Sequence, residues 1–162
     1  MSKEISVAPS VTQYSGVFKL KDVLSLIRSF LSQEGYDVIE LKHKIKNKSE
    51  GTEGEIDLDC DYKMNHYVKF KIGVSLKVSD MVDVEVNKVK MQQGYLNIKL
   101  SGAVELDYDS RFDKNKFLVF LQEIYHKFIM KQTIDNVYWD TVHTTMFRLQ
   151  RAIRDQLQFE AR

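Results

Sequence analysis

Two carboxylate-x-x-histidine motifs have the spacing of a metal site. Glu123 and His126 form the first, and Asp140 and His143 form the second. Helical bundles that hold paired iron or manganese use this spacing, because it places both ligands on one side of a helix. At about 100° per residue, however, both pairs turn away from the apolar side of their helices, and further inward carboxylates are lacking. We therefore expect these four residues to face water and to bind no metal.

Cys60 and His43 are a second pair that could do chemistry, since a neighbouring imidazole can activate a thiol as a nucleophile. Both residues fall among aliphatic neighbours in the middle of predicted strands. A cysteine in that setting is usually an inert small hydrophobe, and a neutral histidine finds a hydrogen bond in the core. We therefore expect both to be core residues, and we assign no catalytic residue, no cofactor and no enzymatic activity to the chain.

Composition narrows the remaining classes of function. The 162 residues are 43% hydrophobic, which suits one well-filled core, so we expect a single domain over 1–162 with 1–13 as a flexible arm. The charges nearly cancel to +1, which removes a bulk electrostatic reason to bind nucleic acid or an anionic membrane. One cysteine forbids an internal disulfide, and the first ten residues lack the apolar segment of a signal peptide, so a cytoplasmic location is expected.

A period of two in the apolar pattern predicts a sheet between residues 36 and 108. Breaks in the pattern divide it into a five-stranded antiparallel meander, and they fall at residues 47–54, 64–66, 79–81 and 92–94. Around residues 87–91 the alternation fails, which predicts a bulge within the fourth strand. Ahead of the sheet, residues 14–18 predict a short strand or an extended arm.

Alternating charges predict the register of the first three strands. A register that joins apolar residues on one face and opposite charges on the other face is favoured over its alternatives. The pairs expected on this basis are Cys60 with Phe70, Asp59 with Lys71, and Ile45 with Ile56.

Apolar residues at helical spacing predict three helices, one before the sheet and two after it. Gly35 is expected to end the first helix as its C-terminal cap. The apolar side of the second helix holds Phe117, Phe120, Leu121, Ile124, Tyr125 and Phe128, and that of the third holds Tyr138, Val142, Met146, Leu149 and Ile153. We expect an α+β fold in which the N-terminal helix and the C-terminal helix pair cover one face of the meander.

Five phrases of the chain are specific in combination. They are Lys63–Lys69, Asp80–Val86, Val104–Tyr108 continuing through Arg111 and Phe112, Tyr125–Ile129 and Val137–Asp140. With them, the chain resembles a family of small proteins from reduced-genome archaea of the DPANN type, over a match from about Tyr14 to Leu157. The resemblance implies an archaeal cytoplasmic origin. It carries over no functional residues, because no function is known for that family.

Aromatic and arginine side chains of the last helix are the candidates for a binding surface. Phe147 lies off the apolar side of this helix, Trp139 lies at its edge, and three arginines follow, Arg148, Arg151 and Arg154. These residue types commonly carry the energy of an interface. We therefore predict a non-enzymatic binding or assembly module whose partner is a protein or a second copy of the chain.

Two alternatives stay open. A curved sheet that holds the last helix could leave an apolar cavity for a small ligand or a lipid, and Gly73 and Gly102 would permit the curvature. RNA binding is less favoured, since no glycine-rich phosphate loop or RNA-binding aromatic signature supports it. It would use two basic stripes, formed by Lys42, Lys44, Lys46 and Lys48 and by Arg148, Arg151 and Arg154. A membrane partner is not expected, because the longest apolar run, residues 117–121, is too short to span a bilayer.

Overall fold

A computed structural model of the chain describes residues 3–108, 116–124 and 137–160. These residues form five antiparallel strands in one sheet and three helices, which confirms the predicted α+β class. The elements are β1 (Lys3–Phe18), α1 (Leu20–Gln33), β2 (Asp37–Lys48), β3 (Gly51–Lys63), β4 (Val68–Val86), β5 (Val89–Leu106), α2 (Lys116–Ile124) and α3 (Trp139–Glu160). The strand order across the sheet is β1-β5-β4-β3-β2.

Alternation along the strands gives the sheet an apolar inner face and a polar outer face. The inward row of β4 is buried as predicted, and it consists of Val68, Phe70, Ile72, Val74, Leu76 and Val78. α3 packs on this face across β1, β5 and β4, while α1 lies beside α3 and contacts β2. The predicted apolar side of α3 is buried, with Leu157 in addition. The inner face and these two helices therefore form one core.

β1 is a full strand of the sheet. It pairs with β5 from Lys3 opposite Leu106 to Phe18 opposite Gln92, with a bulge between Val7 and Ser10. Residues 3–13, for which a flexible arm is expected, therefore lie in β1. The sheet is a four-stranded meander of β2 to β5, with β1 added at the edge of β5.

The predicted turn at residues 79–81 is wrong, because β4 runs through it. Ser79 pairs with Tyr95 and Val82 pairs with Gln93, so the two intervening residues form a bulge. Asp80 adopts a left-handed conformation there, with φ of 52°. Polar residues with this conformational freedom favour turns and bulges alike, so the sequence pattern could not distinguish the two.

The β4–β5 turn lies where a bulge is predicted. Val86 pairs with Val89, and Asn87 and Lys88 between them have φ of 52° and 66°. Two positive φ angles are typical of a two-residue type I′ turn, which usually has glycine in second place. Because Lys88 occupies the second place here, the sequence lacks the glycine that usually identifies this turn. Since β3 pairs with β4 only up to Met81, and β1 with β5 only up to Gln92, residues 82–91 project as a two-stranded ribbon.

The predicted registers of β3 are wrong by two residues, and by three where β2 pairs ahead of its bulge between Glu40 and Lys42. The observed pairs are Cys60 with Ile72, Asp59 with Gly73, and Ile45 with Gly54. Five residues, 64–68, separate the paired residues Lys63 and Lys69, instead of the three predicted. The Asn65 side chain holds this loop, since it accepts hydrogen bonds from the backbone N–H groups of Tyr67 and Val68, both at 2.8 Å. An even shift keeps every side chain on its predicted face, so the β3–β4 core assignments hold although the partners change.

Gly35 ends α1 as predicted. Its φ is 93°, a conformation that favours glycine. Its N–H donates to the Ser32 carbonyl at 3.1 Å, and the next N–H, of Tyr36, donates to the Leu31 carbonyl at 2.9 Å. This is the Schellman pattern, which satisfies the last carbonyls of the helix.

α2 differs from the expectation that both C-terminal helices cover the sheet. Phe117 is 62% exposed, and Phe120, Leu121 and Ile124 are exposed as well. Among the described helices, α3 lies across β1, β5 and β4 and α1 contacts β2, so α2 does not cover the inner face as expected. Tyr125 and Phe128, assigned to the same apolar side, lie outside the described residues.

Gly102 allows α3 to approach β5 closely. A Cβ atom at this position would lie 2.5 Å from Sδ of Met146 and 2.8 Å from Cγ1 of Val142. Both distances are far shorter than van der Waals contact, so no side chain fits between strand and helix. Gly102 therefore permits the close approach of a helix to the sheet.

Gly102→Ala should therefore destabilise the protein. The added methyl group forces α3 to shift or Met146 to leave its position, and such overpacking costs about 1 to 3 kcal/mol. Gly73→Ala is the matched control in the neighbouring strand, because its methyl group meets only the rotatable Ser101 hydroxyl, at 2.8 Å. It should change stability by less than about 0.5 kcal/mol. Urea unfolding of the variants measures both, and equal effects would contradict the close packing of α3.

Candidate docking surface on the C-terminal helix

α3 has one buried side and one exposed side along its 22 residues. The exposed side faces away from the sheet, because Val142, Leu149 and Ile153 on the opposite side are buried in the core. We call it the outward side of α3, and it consists of Asp140, His143, Thr144, Phe147, Arg151, Arg154 and Gln158, all exposed. Phe147, at the middle of this side, is 58% exposed.

Trp139 lies at the border between the two sides of α3. It is partly buried against the core, and its indole stacks on the imidazole of His143 with ring centroids 4.9 Å apart and an angle of 9° between the planes. His143 follows Trp139 by one turn of the helix, so this stacking holds the indole ring at the first turn of α3. The sequence placed Trp139 at the edge of the apolar side, and its burial agrees.

Arg148 has a structural contact that sets it apart from the other predicted binding residues. Its guanidinium lies 2.5 Å from a carboxylate oxygen of Glu34 and 5.5 Å from the centre of the Phe30 ring. Both partners belong to the C-terminal part of α1 or to its cap. Arg148 therefore joins α3 to α1. Arg151 and Arg154 form no ion pair with another described residue and remain exposed.

His43 is not a core residue, contrary to the prediction. It is exposed, and its Nδ1 lies 3.0 Å from a carboxylate oxygen of Glu40, which also pairs with Arg28 of α1. β2 is an edge strand that α1 covers only in part, so inward positions near its end stay in water. Ile45 shares this uncovered inward row, whereas Ile39 is exposed because it lies opposite Asp59 on the outer face, ahead of a bulge between Glu40 and Lys42.

The thiol of Cys60 is buried, as predicted, and the imidazole of His43 does not lie beside it. Its partner in β2 is Val38, whereas His43 pairs with Ile56, four residues or about 13 Å along β3. Burial raises the pKa of the Cys60 thiol to about 12, with smaller contributions from the carboxylates of Asp59 and Asp61. A thiol in that state is protonated at neutral pH and is a poor nucleophile.

The two basic stripes lie on opposite sides of the sheet. The lysines of β2 surround a hollow of about 360 Å³ on the outer face, whereas the arginines belong to α3, which covers the inner face. The hollow is lined by Lys42, Lys44, Lys46 and Lys77 with Glu53 and Glu55. Lys42 donates to Glu55 at 2.7 Å, which lowers the pKa of that carboxyl group. The lysines and arginines therefore do not form one continuous basic surface.

A second hollow of about 360 Å³ also lies on the outer face, where β1, β4 and β5 carry small side chains. Its lining includes Ser6, Gly73, Ser101 and Ala103, with Asp59, Lys71 and Lys99 at its rim. Neither hollow lies between the sheet and α3. The close contact at Gly102 leaves no gap between β5 and α3 at that position.

The two carboxylate-x-x-histidine motifs are exposed wherever the structure describes them. Glu123, Asp140 and His143 all face water, and His126 lies outside the described residues. Within the described ranges, no three His, Cys, Asp or Glu side chains stand close enough to hold a metal ion.

Sequence reasoning missed three groups of exposed apolar residues. These are the apolar side of α2, the valines of the projecting ribbon (Val82, Val86 and Val89) and the isoleucines of β2. Each group has the period of a buried face, so periodicity alone assigned it to the core. Their exposure depends on which neighbouring element covers them, and that information is absent from a local pattern.

Comparison with known proteins leaves the chain without an assigned family. No family model matches it, and no curated protein is similar enough to be counted as a relative. The resemblance to the archaeal family stays a prediction. In the part of the chain that the structure describes, no helix combines the length and the apolarity needed to cross a membrane.

Cys60 should be inert towards thiol reagents while the protein is folded. Its pKa of about 12 and its complete burial leave almost no accessible thiolate at pH 8. We expect the rate of modification by a disulfide reagent to be at least about 100-fold slower than in the urea-unfolded chain, where an ordinary thiol pKa of about 8.5 applies. Fast modification of the folded protein would contradict the placement of Cys60 in the core.

Proposed function

We propose that the protein is a non-enzymatic binding module that docks to another protein through the outward side of α3. The observation that carries the proposal is the exposure of Phe147. Its ring lies in water at the middle of a helix whose opposite side is fully buried. An isolated chain gains no burial energy from this ring, whereas a partner that covers it does.

The charged neighbours of Phe147 support the same function. Arg151 and Arg154 follow it by one and two turns on the same side of α3, and neither is engaged in an ion pair with another described residue. Arginine and aromatic side chains are the types most often found at the energetic centre of an interface. Arg148, by contrast, is excluded from the proposed surface because Glu34 and Phe30 hold it against α1.

The rigidity of α3 also favours docking. Its buried side is packed into the core from Tyr138 to Leu157, and Gly102 brings it into direct contact with β5. A surface that is already fixed before binding loses little conformational entropy when a partner covers it. The outward side of α3 therefore suits an interface better than the projecting ribbon does, because the two strands of the ribbon pair only with each other.

A photoreactive phenylalanine analogue at position 147 should form a covalent bond with the partner. Irradiation of cells that contain this variant is expected to yield a discrete adduct. The adduct partner, once purified, should bind the wild-type chain, and Phe147→Ala should raise its dissociation constant by about 10-fold or more. Mass spectrometry of the adduct and binding calorimetry are the two measurements.

Tyr95 provides the matched control, because it is 57% exposed on the opposite, outer face of the sheet. The same analogue at position 95 should give no such adduct, and Tyr95→Ala should leave the affinity unchanged. Adducts of equal yield at both positions, or a Phe147→Ala variant that binds as tightly as the wild type, would remove the basis of the proposed function.

A further inference from the structure

We infer that the protein which docks on α3 is a second copy of this chain, joined by antiparallel pairing of the two α3 helices about a two-fold axis at Phe147. The inference rests on the proposed function and adds the identity of the partner. It is carried by the order of three exposed residues on the outward side of α3, Asp140, Phe147 and Arg154.

These three residues lie on one stripe of the helix. They are seven residues apart, and seven residues span about two turns, so successive members are offset by only about 20° around the axis. At about 1.5 Å of rise per residue, the carboxylate of Asp140 and the guanidinium of Arg154 are attached about 10.5 Å before and after Phe147. The stripe thus has an acid at one end, a base at the other end and an aromatic ring at the centre.

A two-fold axis at Phe147 makes this stripe complementary to itself. In an antiparallel pair, each residue before Phe147 faces the residue that follows Phe147 by the same number of positions in the second copy. The two Phe147 rings then meet at the centre, and Asp140 of each copy faces Arg154 of the other copy. Two carboxylate–guanidinium pairs, which can form bidentate hydrogen bonds, flank one apolar contact.

Two other ways of joining two copies lack this complementarity. A parallel pair of α3 helices would place Asp140 against Asp140 and Arg154 against Arg154. Antiparallel addition of two β2 edge strands would set Lys42, Lys44 and Lys46 of one copy against the same lysines of the other copy, because all three lie on one face. Like charges in direct opposition are destabilising, so the pairing of α3 is favoured.

We call this antiparallel contact between two α3 helices the seam. An experiment that exchanges the charges at positions 140 and 154 tests it directly. The wild type should sediment as a dimer. In a dimer of Asp140→Arg, or of Arg154→Asp, residues 140 and 154 of facing copies carry like charges at both ends of the pair. Each of these variants should therefore raise the dissociation constant of the dimer at least about 10-fold. An equimolar mixture of these two variants should recover dimers, because every contact in the mixed dimer again joins an acid to a base. The double variant Asp140→Arg/Arg154→Asp should recover them too.

Asp83→Arg is the matched control, because it changes the net charge by the same amount on the exposed ribbon, away from α3. It should sediment as the wild type does. Since Asp140 lies in the first turn of α3, where an acid stabilises a helix, circular dichroism must show that Asp140→Arg is folded. If it is not, Phe147→Glu replaces it, since this variant sets two carboxylates face to face at the centre and should be monomeric.

The outcomes separate this inference from the proposed function. A wild type that stays monomeric at the highest attainable concentration overturns the second copy as partner, whereas docking to a different protein is still measured by the adduct at position 147. A dimeric wild type whose variants do not recover dimers on mixing overturns the antiparallel seam. A dimer unaffected by Phe147→Glu would overturn the seam, and the adduct at position 147 would then test the proposed docking surface on its own.

Discussion

The burial of the inner face of the sheet beneath α3 is the interaction on which the rest of the structure depends. The inward rows of β3, β4 and β5 are almost entirely aliphatic, and in water they would expose a continuous apolar surface. α3 lies across β1, β5 and β4, and it can approach β5 closely because Gly102 has no side chain that would hold the helix away. Since the core fixes which side of α3 is buried, it also fixes that Phe147, Arg151 and Arg154 face outward.

The same helix therefore joins stability to function. A typical surface helix carries polar residues on its exposed side, and most of the outward side of α3 obeys that rule. Phe147 is the exception, and a single exposed aromatic ring between charged residues is a common form for the centre of an interface. The three arginines that look equivalent in the sequence have different roles here, because α1 reaches only Arg148.

Much of the fold could be predicted because alternation records which face of a strand is buried. That is why the core side chains of β3 and β4 were assigned correctly even though the register of β3 was wrong by two residues. The register itself depends on the length of a loop, and here five residues instead of three separate the paired residues Lys63 and Lys69, in a loop that the Asn65 side chain holds through two hydrogen bonds to the backbone. The turn at Asn87 and Lys88 was missed for a similar reason, since a lysine with a positive φ resembles an ordinary strand residue in the sequence.

The predicted binding residues of α3 were placed well, whereas His43 and the apolar side of α2 were not. Helical periodicity in a long helix defines both of its sides, so the outward position of Phe147 followed from the positions of Val142, Leu149 and Ile153. Exposure of His43 depends instead on where α1 stops covering β2, and exposure of Phe117 depends on which elements reach α2. Both are properties of the assembled layers, and a local pattern does not contain them.

The fluorescence of Trp139 measures most directly whether another copy covers the outward side of α3. It is the single tryptophan of the chain, and it lies next to Asp140, stacked on His143, at one end of the stripe. Pairing of two α3 helices removes water from this region, so the emission maximum should move to shorter wavelength as the protein concentration rises, and Phe147→Glu should abolish the change. An emission spectrum that is independent of concentration in the wild type would contradict pairing of two copies through α3.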